Sequence, residues 1–305
     1  MNVESKFVWH QGELVPYEKA TIHFLNTSFH YGTGVFEGLR AYDTSKGPAI
    51  FRLKDHMERL LSSAKILGVN DLPYNLETLM ESCKEVVKAN DLKEAYIRPM
   101  FYAREGGWGL SLKETVWDYS VAAWRWDKYH GNQAKNEGIK AKVSSFNRNH
   151  INVSLTKGKI CGNYVNSVLA KAEAQRSGVQ EAIMLDANGF VAECTGQNLF
   201  IVKKGQIKTP VPHLILEGLT RDTIFSLIED ENIPLEEMLL TRDHLYLADE
   251  VFIVGTANEV LPMVEIDGIT IGEGKPGPTC RKLQELYENL IHGKLEKYWN
   301  HLDWV

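Results

Sequence analysis

The chain has 305 residues, 44% hydrophobic and 24% charged, with a net charge of −6 and no clustered run of Lys or Arg. That balance suits a globular protein of two ordinary domains and argues against a nucleic-acid or anionic-membrane partner, which would need grouped cations. Four cysteines are too sparse to staple the fold, the ten histidines lack metal-ligand spacing, and neither a secretory signal core nor a bilayer-length apolar stretch is visible. The expected setting is reduced and cytoplasmic, with no metal.

The first half opens with strands. Residues 6–15 alternate around Gln11 and Gly12, which predicts a hairpin, and 38–42 and 49–52 read as further strands. Two helices follow. Met57, Leu60, Leu61, Ala64 and Leu67 recur at helical spacing with Gly68 placed to end the run; Leu76, Leu79, Met80, Cys83, Val86 and Val87 do the same after Asn75, a candidate cap. Strands return at 95–103, 119–126 and 139–146, separated by a polar, glycine-bounded stretch that reads as a linker. The expected division is a small domain over 1–130, a linker over 131–138 and a large domain over 139–305 that carries the key lysine.

In the second half, a helix is predicted from about Asn163 to Ser177, with Val165, Val168, Leu169 and Ala172 on one face. Asp186 to Gly189 predicts a tight turn between two strands, and Lys204-Gly205 another. Thr220 opens a helix, 251–254 reads as a buried strand, and Pro278 to Ile291 as a closing helix. Strands come in groups followed by helices, so the fold class is α+β rather than a regular βαβ alternation.

Three familiar signatures are absent or incomplete. Residues 272–279 lack P-loop spacing, and Pro276 and Pro278 remove amide donors. Residues 31–34 lack the third glycine of a dinucleotide fingerprint, and there is no Gly-x-Ser-x-Gly elbow. What remains is Lys159, followed by small residues and a patterned helix, and Glu193, at the end of an apolar strand that Thr195 and Gly196 break. A lone lysine or glutamate is most often a solvated surface charge. An amine and an acid on rigid elements, however, are what an aldehyde cofactor requires. The amine forms a Schiff base, and the acid keeps the pyridine nitrogen protonated. Lys157 is the rival amine.

Several ordered segments sharpen this reading: Phe29–Arg40, Phe51–Leu60, Tyr96–Pro99, Lys159–Tyr164, Glu193–Phe200, Leu219–Asp222, Tyr246–Phe252 and Gly255–Ala257. Together they resemble the branched-chain-amino-acid aminotransferases of the fold-type-IV, pyridoxal-phosphate-dependent class IV family, over nearly the whole chain. The resemblance implies two α/β-type domains of the D-amino-acid-aminotransferase-like architecture. It also implies pyridoxal 5'-phosphate as cofactor, and ping-pong transfer of an amino group from leucine, isoleucine or valine to 2-oxoglutarate. Small-molecule substrates and a homodimer or higher homo-oligomer are the partners it implies.

Carried over by position, the resemblance implies that Lys159 bonds the cofactor, Glu193 binds its ring nitrogen and Tyr164 its ring hydroxyl. Arg59, the amides at Leu219 and Thr220 and the Thr256 region would hold the phosphate. Thr220 at a helix start is itself a ready anion site. Arg59 lies off the apolar stripe of its helix, and its alternative is a surface ion pair worth about 0–1 kcal/mol. Tyr96, Thr256 and Ala257 would meet the substrate α-carboxylate and Arg98 the distal carboxylate of glutamate. Tyr31, Phe36, Trp126 and Tyr129 would line the side-chain pocket, although core packing is an equally good reading of Phe36 and Trp126. Tyr96 and Arg98, two apart on a strand, should share a face.

The chain departs from the family pattern at 103–110, where Trp108 is bulky, and at Cys194, Gln197 and Asn258. None of these touches Lys159 or Glu193, so substrate preference is what they bear on. D-amino-acid aminotransferase, (R)-amine transaminase and aminodeoxychorismate lyase share the fold and are the alternatives, with a non-catalytic cofactor- or metabolite-binding protein as the rival from another class.

Overall fold

The computed structural model describes residues 5–106, 109–126 and 131–305. Contacts divide the chain into two units, one of residues 1–127, 158–163 and 290–305, the other of 128–157 and 164–289.

Among the described residues, the first unit holds an eight-stranded sheet. Its strands are β1 (Phe7–His10), β2 (Glu13–Pro16), β3 (Val35–Phe36), β4 (Leu39–Thr44), β5 (Gly47–Phe51), β6 (Ala95–Glu105), β7 (Val116–Trp124) and the chain-terminal β17 (Leu302–Trp304). Their order is β17-β5-β4-β6-β7-β1-β2, with β3 on β6, all antiparallel. Gln11 and Gly12 both take positive φ, the geometry a two-residue hairpin turn demands, so the predicted β1–β2 hairpin forms. Helices α1 (Thr27–Tyr31), α2 (Leu53–Ile66) and α3 (Leu76–Ala89) accompany the sheet. The predicted apolar stripes of α2 and α3 join Leu39, Ile50, Ile97 and Phe101 in one buried core. Asn75 caps α3 by accepting from the Thr78 amide, and Gly68, at φ +88°, turns the chain out of α2.

The second unit is built on a nine-stranded mixed sheet, counted among the described residues. The strands are β8 (Ile139–Val143), β9 (Glu181–Leu185), β10 (Val191–Cys194), β11 (Asn198–Lys203), β12 (Gln206–Pro210), β13 (Leu235–Met238), β14 (Glu250–Gly255), β15 (Glu259–Ile266) and β16 (Ile269–Thr270). They run in the order β10-β9-β8-β15-β14-β11-β12-β13, with β16 beside β15; β8 pairs in parallel with β9 and β15, and β12 with β13. The helices are α4 (Gly131–Glu137), α5 (Tyr164–Arg176), α6 (Leu219–Asp230), α7 (Arg242–Tyr246) and α8 (Pro278–Ile291). The Asp186 turn forms as expected, its carboxylate accepting from the amides of Asn188 and Phe190. No helix of the described residues is long and apolar enough to cross a membrane.

Two expectations differ from the structure. Residues 131–137 are a helix of the second unit rather than an irregular linker: Ala134 packs on its core, and Gly138, at φ +87°, ends it. The lysine segment, expected with the large domain, belongs to the first unit together with the chain terminus. The reason is main-chain pairing. Phe36 N donates to Lys159 O (3.1 Å), Cys161 N to Gly34 O (2.8 Å) and Gly162 N to Gly32 O (2.9 Å), while β17 adds to β5. A Cβ on Gly32, which sits at φ +69°, would lie 2.8 Å from Gly162 Cα, so only glycine permits this approach.

The predicted apolar face of α5 also points the other way. Val165, Val168 and Leu169 are exposed, and the helix buries Ser167, Ala170 and Ala174 beside Ala182 and Met184 of β9. Small side chains allow the close approach that the larger ones would block.

Between β3 and β4 sits the fully buried Glu37. Its two oxygens accept from Arg59 Nε (2.6 Å) and Nη2 (2.9 Å), and His56 Nδ1 lies 2.8 Å from one of them. Burial alone would raise the Glu37 carboxyl, but Arg59 and His56 outweigh it and hold it well below the usual carboxylate range. Burial also lowers His56 against the pull of Glu37, so a neutral ring donates through Nδ1. Because the folded carboxyl is held below its unfolded value, its contribution is full at neutral pH and is lost as pH falls through and below the ordinary carboxylate range. Glu37→Gln should therefore cost about 3 kcal/mol at pH 7, as breaking a buried pair does. Denaturant titrations at pH 7 and in acid check this: the gap should narrow in acid, and a gap independent of pH would refute it.

Candidate active site

In the first unit, β3 and the lysine segment place the Lys159 amine 5.2 Å from the centre of the Phe36 ring. The Lys159 amide donates to Ser63 Oγ of α2 at 3.0 Å, so its backbone is pinned on both sides. The Arg98 guanidinium lies 4.6 Å over the same Phe36 ring, and its Nη2 donates to the Tyr96 hydroxyl at 3.0 Å. The two-residue spacing on β6 thus puts Tyr96 and Arg98 on one face, as predicted. Tyr96 in turn packs against Trp126, with ring centres 4.8 Å apart. A Cβ on Gly38 would sit 2.1 Å from the Tyr96 hydroxyl, so glycine there makes room for the ring. Arg98 Nε is buried without a hydrogen-bond partner. Cys161 nearby is pushed up to about 11 by burial, against the opposing pull of Arg98, and stays a neutral thiol.

Five of the expected residues therefore meet in one place: Lys159, Phe36, Tyr96, Arg98 and Trp126. Tyr31 is at the end of α1 and 46% exposed, and Gly32 at φ +69° turns the chain immediately after it. Arg59 is on α2 with its guanidinium engaged by Glu37, a buried partner rather than a surface one. Tyr129 and Trp108 lie outside the described residues.

In the second unit, Glu193 is on β10, only 4% exposed. A shift in register between Val191 and Glu193 breaks the strand's alternation and re-aims the carboxylate. Arg148 Nε donates to it at 2.7 Å, Asn198 Nδ2 at 3.2 Å and the Leu216 amide at 3.3 Å. Asn198 is the hub: it also donates to Leu216 O at 3.0 Å, and a Cβ on Gly218 would lie 2.1 Å from its Oδ1. Gly218 is the N-cap of α6, and Leu219 and the buried Thr220 open its first turn. Tyr164 opens α5, half-buried. Thr256 and Ala257 form the turn between β14 and β15, closed by the Asn258 amide donating to Gly255 O at 3.1 Å.

The rival amine is otherwise committed. Lys157 Nζ donates to Glu217 (2.6 Å), to Ile215 O (3.4 Å) and to Pro212 O. Gln197, standing where an acid was expected, presents its carboxamide oxygen to the Gly196 amide at 3.1 Å, a role that needs only an acceptor. The sequence alone does not mark Glu37, His56, Arg148 or Asn198. Glu37, His56 and Asn198 lie inside the family-like segments, but nothing in their spacing marks them, because their partners come from other elements.

The class IV amino-transferase profile matches residues 34–266. The chain is 46% identical to the branched-chain-amino-acid aminotransferase of Pseudomonas aeruginosa over 97% of this chain and 95% of that one. The crystal structure of the Escherichia coli branched-chain amino acid aminotransferase superposes with a TM-score of 0.95 at 42% identity, covering 98% of this chain and 99% of the other. A T.th. branched-chain amino acid aminotransferase complexed with N-(5'-phosphopyridoxyl)-L-glutamate gives a TM-score of 0.95 at 41% identity, covering 99% of each chain. A family profile spanning most of the chain, a near full-length relative and a matching fold leave one classification: the chain belongs to the class IV aminotransferases.

Proposed function

We propose that the protein transfers the amino group of leucine, isoleucine or valine to 2-oxoglutarate, using pyridoxal 5'-phosphate in a ping-pong cycle. The observation that carries this is the wall of Phe36, Tyr96 and Trp126 beside the Lys159 amine, with Arg98 laid on its face. An aliphatic chain finds aromatic surface there, and a distal carboxylate finds a guanidinium. When leucine binds, Arg98 keeps its bond to the Tyr96 hydroxyl, so the apolar substrate does not strand it entirely. One surface thereby serves both half-reactions. The relatives named above favour this over the D-amino-acid, amine and lyase alternatives.

The residues fit the cofactor. Glu193 is a buried carboxylate whose three protein donors leave lone-pair capacity for a ring N–H. The N-terminus of α6, which begins after Gly218 rather than a bulky side chain, suits a phosphate. When bound, pyridoxal phosphate supplies an electron-withdrawing ring that takes up the electrons of the substrate Cα–H bond. In this reading Lys159 anchors the group and moves the Cα proton, while Glu193 holds the ring nitrogen's proton and Tyr164 meets the ring hydroxyl. Arg59, oriented by Glu37, joins Leu219, Thr220 and the Thr256 region at the phosphate. Tyr96 with Thr256 and Ala257 orients the α-carboxylate, and Tyr31 and Tyr129 complete the side-chain pocket. A cytoplasmic homodimer or higher homo-oligomer is part of the same reading. Exposed Phe24, Phe29 and Tyr31 offer the kind of aromatic surface that subunits cover.

The absorbance spectrum of the purified protein tests this directly. The visible band of lysine-bound cofactor should fade on adding L-leucine and return with 2-oxoglutarate. An unmoved band would overturn the substrate, and no band after adding the cofactor would overturn the enzyme reading. Lys159→Ala should abolish turnover yet still bind cofactor, while Lys157→Ala should stay active because that amine is held by Glu217. The opposite pattern would transfer the role to Lys157. Glu193→Gln should fold normally and lose on the order of a hundredfold in kcat, as one lost electrostatic stabiliser costs; unchanged kcat would contradict its role.

A further inference from the structure

Glu193 and the start of α6 lie in the same unit, and one side chain ties them together. A carboxamide has two N–H donors. Asn198 uses them in two directions: Nδ2 donates to Glu193 Oε2 at 3.2 Å and to Leu216 O at 3.0 Å. The Leu216 amide donates back to Glu193 at 3.3 Å, so acid, carboxamide and loop close a ring. Asn198 is itself held. It is 5% exposed and starts β11 in register with Val254 of β14. The turn that separates it from Glu193 is closed by the Cys194 amide donating to Gln197 O at 2.9 Å.

The oxygen of the carboxamide faces the helix. A Cβ on Gly218 would meet Asn198 Oδ1 at 2.1 Å, yet Gly218 has φ −73° and ψ 132°, a backbone open to any residue. Conformation therefore does not ask for glycine at the N-cap of α6; room for the Asn198 carboxamide does. Aspartate has the same shape but lacks the donors, and serine offers one donor on a shorter arm.

A phosphorylated pyridine makes a demand that suits this arrangement. Its ring is rigid, so the nitrogen and the phosphate sit at a nearly fixed separation, and the groups that receive them must keep that register. Strand pairing does not set it, since Leu216 and Gly218 lie outside the strands. We propose that Asn198 is a positioning residue for the cofactor, holding Glu193 and the N-terminus of α6 at the spacing that lets ring nitrogen and phosphate be bound together. This rests on the functional reading above, which sets Glu193 at the nitrogen and Leu219 and Thr220 at the phosphate.

The test is the dissociation constant of pyridoxal 5'-phosphate, measured on the full chain freed of cofactor. Wild type, Asn198→Ala, Gly218→Ala and the double variant are compared. Each single change should weaken binding about tenfold, as loss of a hydrogen bond to a charged group does. In the Asn198→Ala background, Gly218→Ala should cost less than about twofold, because the atom its Cβ displaces is gone. Inorganic phosphate, which needs no register, should bind all four proteins alike. Asn198→Asp sets a second carboxylate beside Glu193; two carboxylates this close share a proton in acid and repel once it is lost. Its cofactor affinity relative to the wild type should therefore fall as pH rises. A merely structural asparagine would lower the melting temperature and leave cofactor affinity unmoved, which overturns the proposal. So does a Gly218→Ala loss of equal size in both backgrounds, since the Cβ would then obstruct the phosphate itself. Gly218→Ala keeps every donor, so it tests the role even if a change at Asn198 prevents folding: wild-type affinity in that variant also overturns it. Failure of the functional reading shows separately, as unchanged kcat in Glu193→Gln.

Discussion

The placement of the lysine depends on a short stretch of main-chain pairing. Residues 159–162 hydrogen-bond to 32–36, and Gly32 and Gly162 approach so closely that no side chain fits between them. Backbone bonds fix the Lys159 Cα, and Ser63 holds its amide from the other side. The amine then has little freedom except along its own stem, which carries it towards the Phe36 ring. Phe36 is itself held by the same pairing, since its amide donates to Lys159 O. Lysine and aromatic wall are thus positioned by one set of bonds, and neither can shift without the other.

Each unit holds a buried carboxylate that organises the charges about it, and the two do so by different means. Glu37 is matched by two groups from one helix, His56 and Arg59, three residues apart and therefore on the same face of α2. Glu193 is held by donors from three separate places: Arg148, Asn198 and the Leu216 amide. The first arrangement saturates its carboxylate and fixes a guanidinium. The second mixes one cation with two neutral donors and leaves acceptor capacity. Burial makes both costly to disturb, because a charge left unpaired in the interior loses its solvation without compensation.

Local elements were largely legible in the sequence. The Gln11-Gly12 hairpin, the stripes of α2 and α3, the Asn75 cap and the Asp186 turn all rest on interactions within a few residues, and all formed. The expectations that failed concerned which surface an element would bury. The stripe of Val165, Val168 and Leu169 looked core-facing, yet α5 buries Ala170 and Ala174 against Ala182 and Met184 of β9. The polar 131–137 stretch looked like a linker, yet Lys135 is held by Glu259 and Glu288, partners more than a hundred residues away that no periodicity reveals.

The sequence by itself determined the local periods, the turns, the candidate amine and acid, and through ordered motifs the family to which the chain belongs. Those depend on residue type and short spacing, which a linear string contains in full. Only the tertiary structure decided that Lys159 belongs with β3 rather than with the helix that follows it. The same is true of Arg59 meeting a buried carboxylate and of Asn198 tying Glu193 to the start of α6. Each of these is a matter of which distant groups share a buried volume. Hydrogen-bond satisfaction and desolvation are set by that volume, and the order of residues along the chain does not specify it.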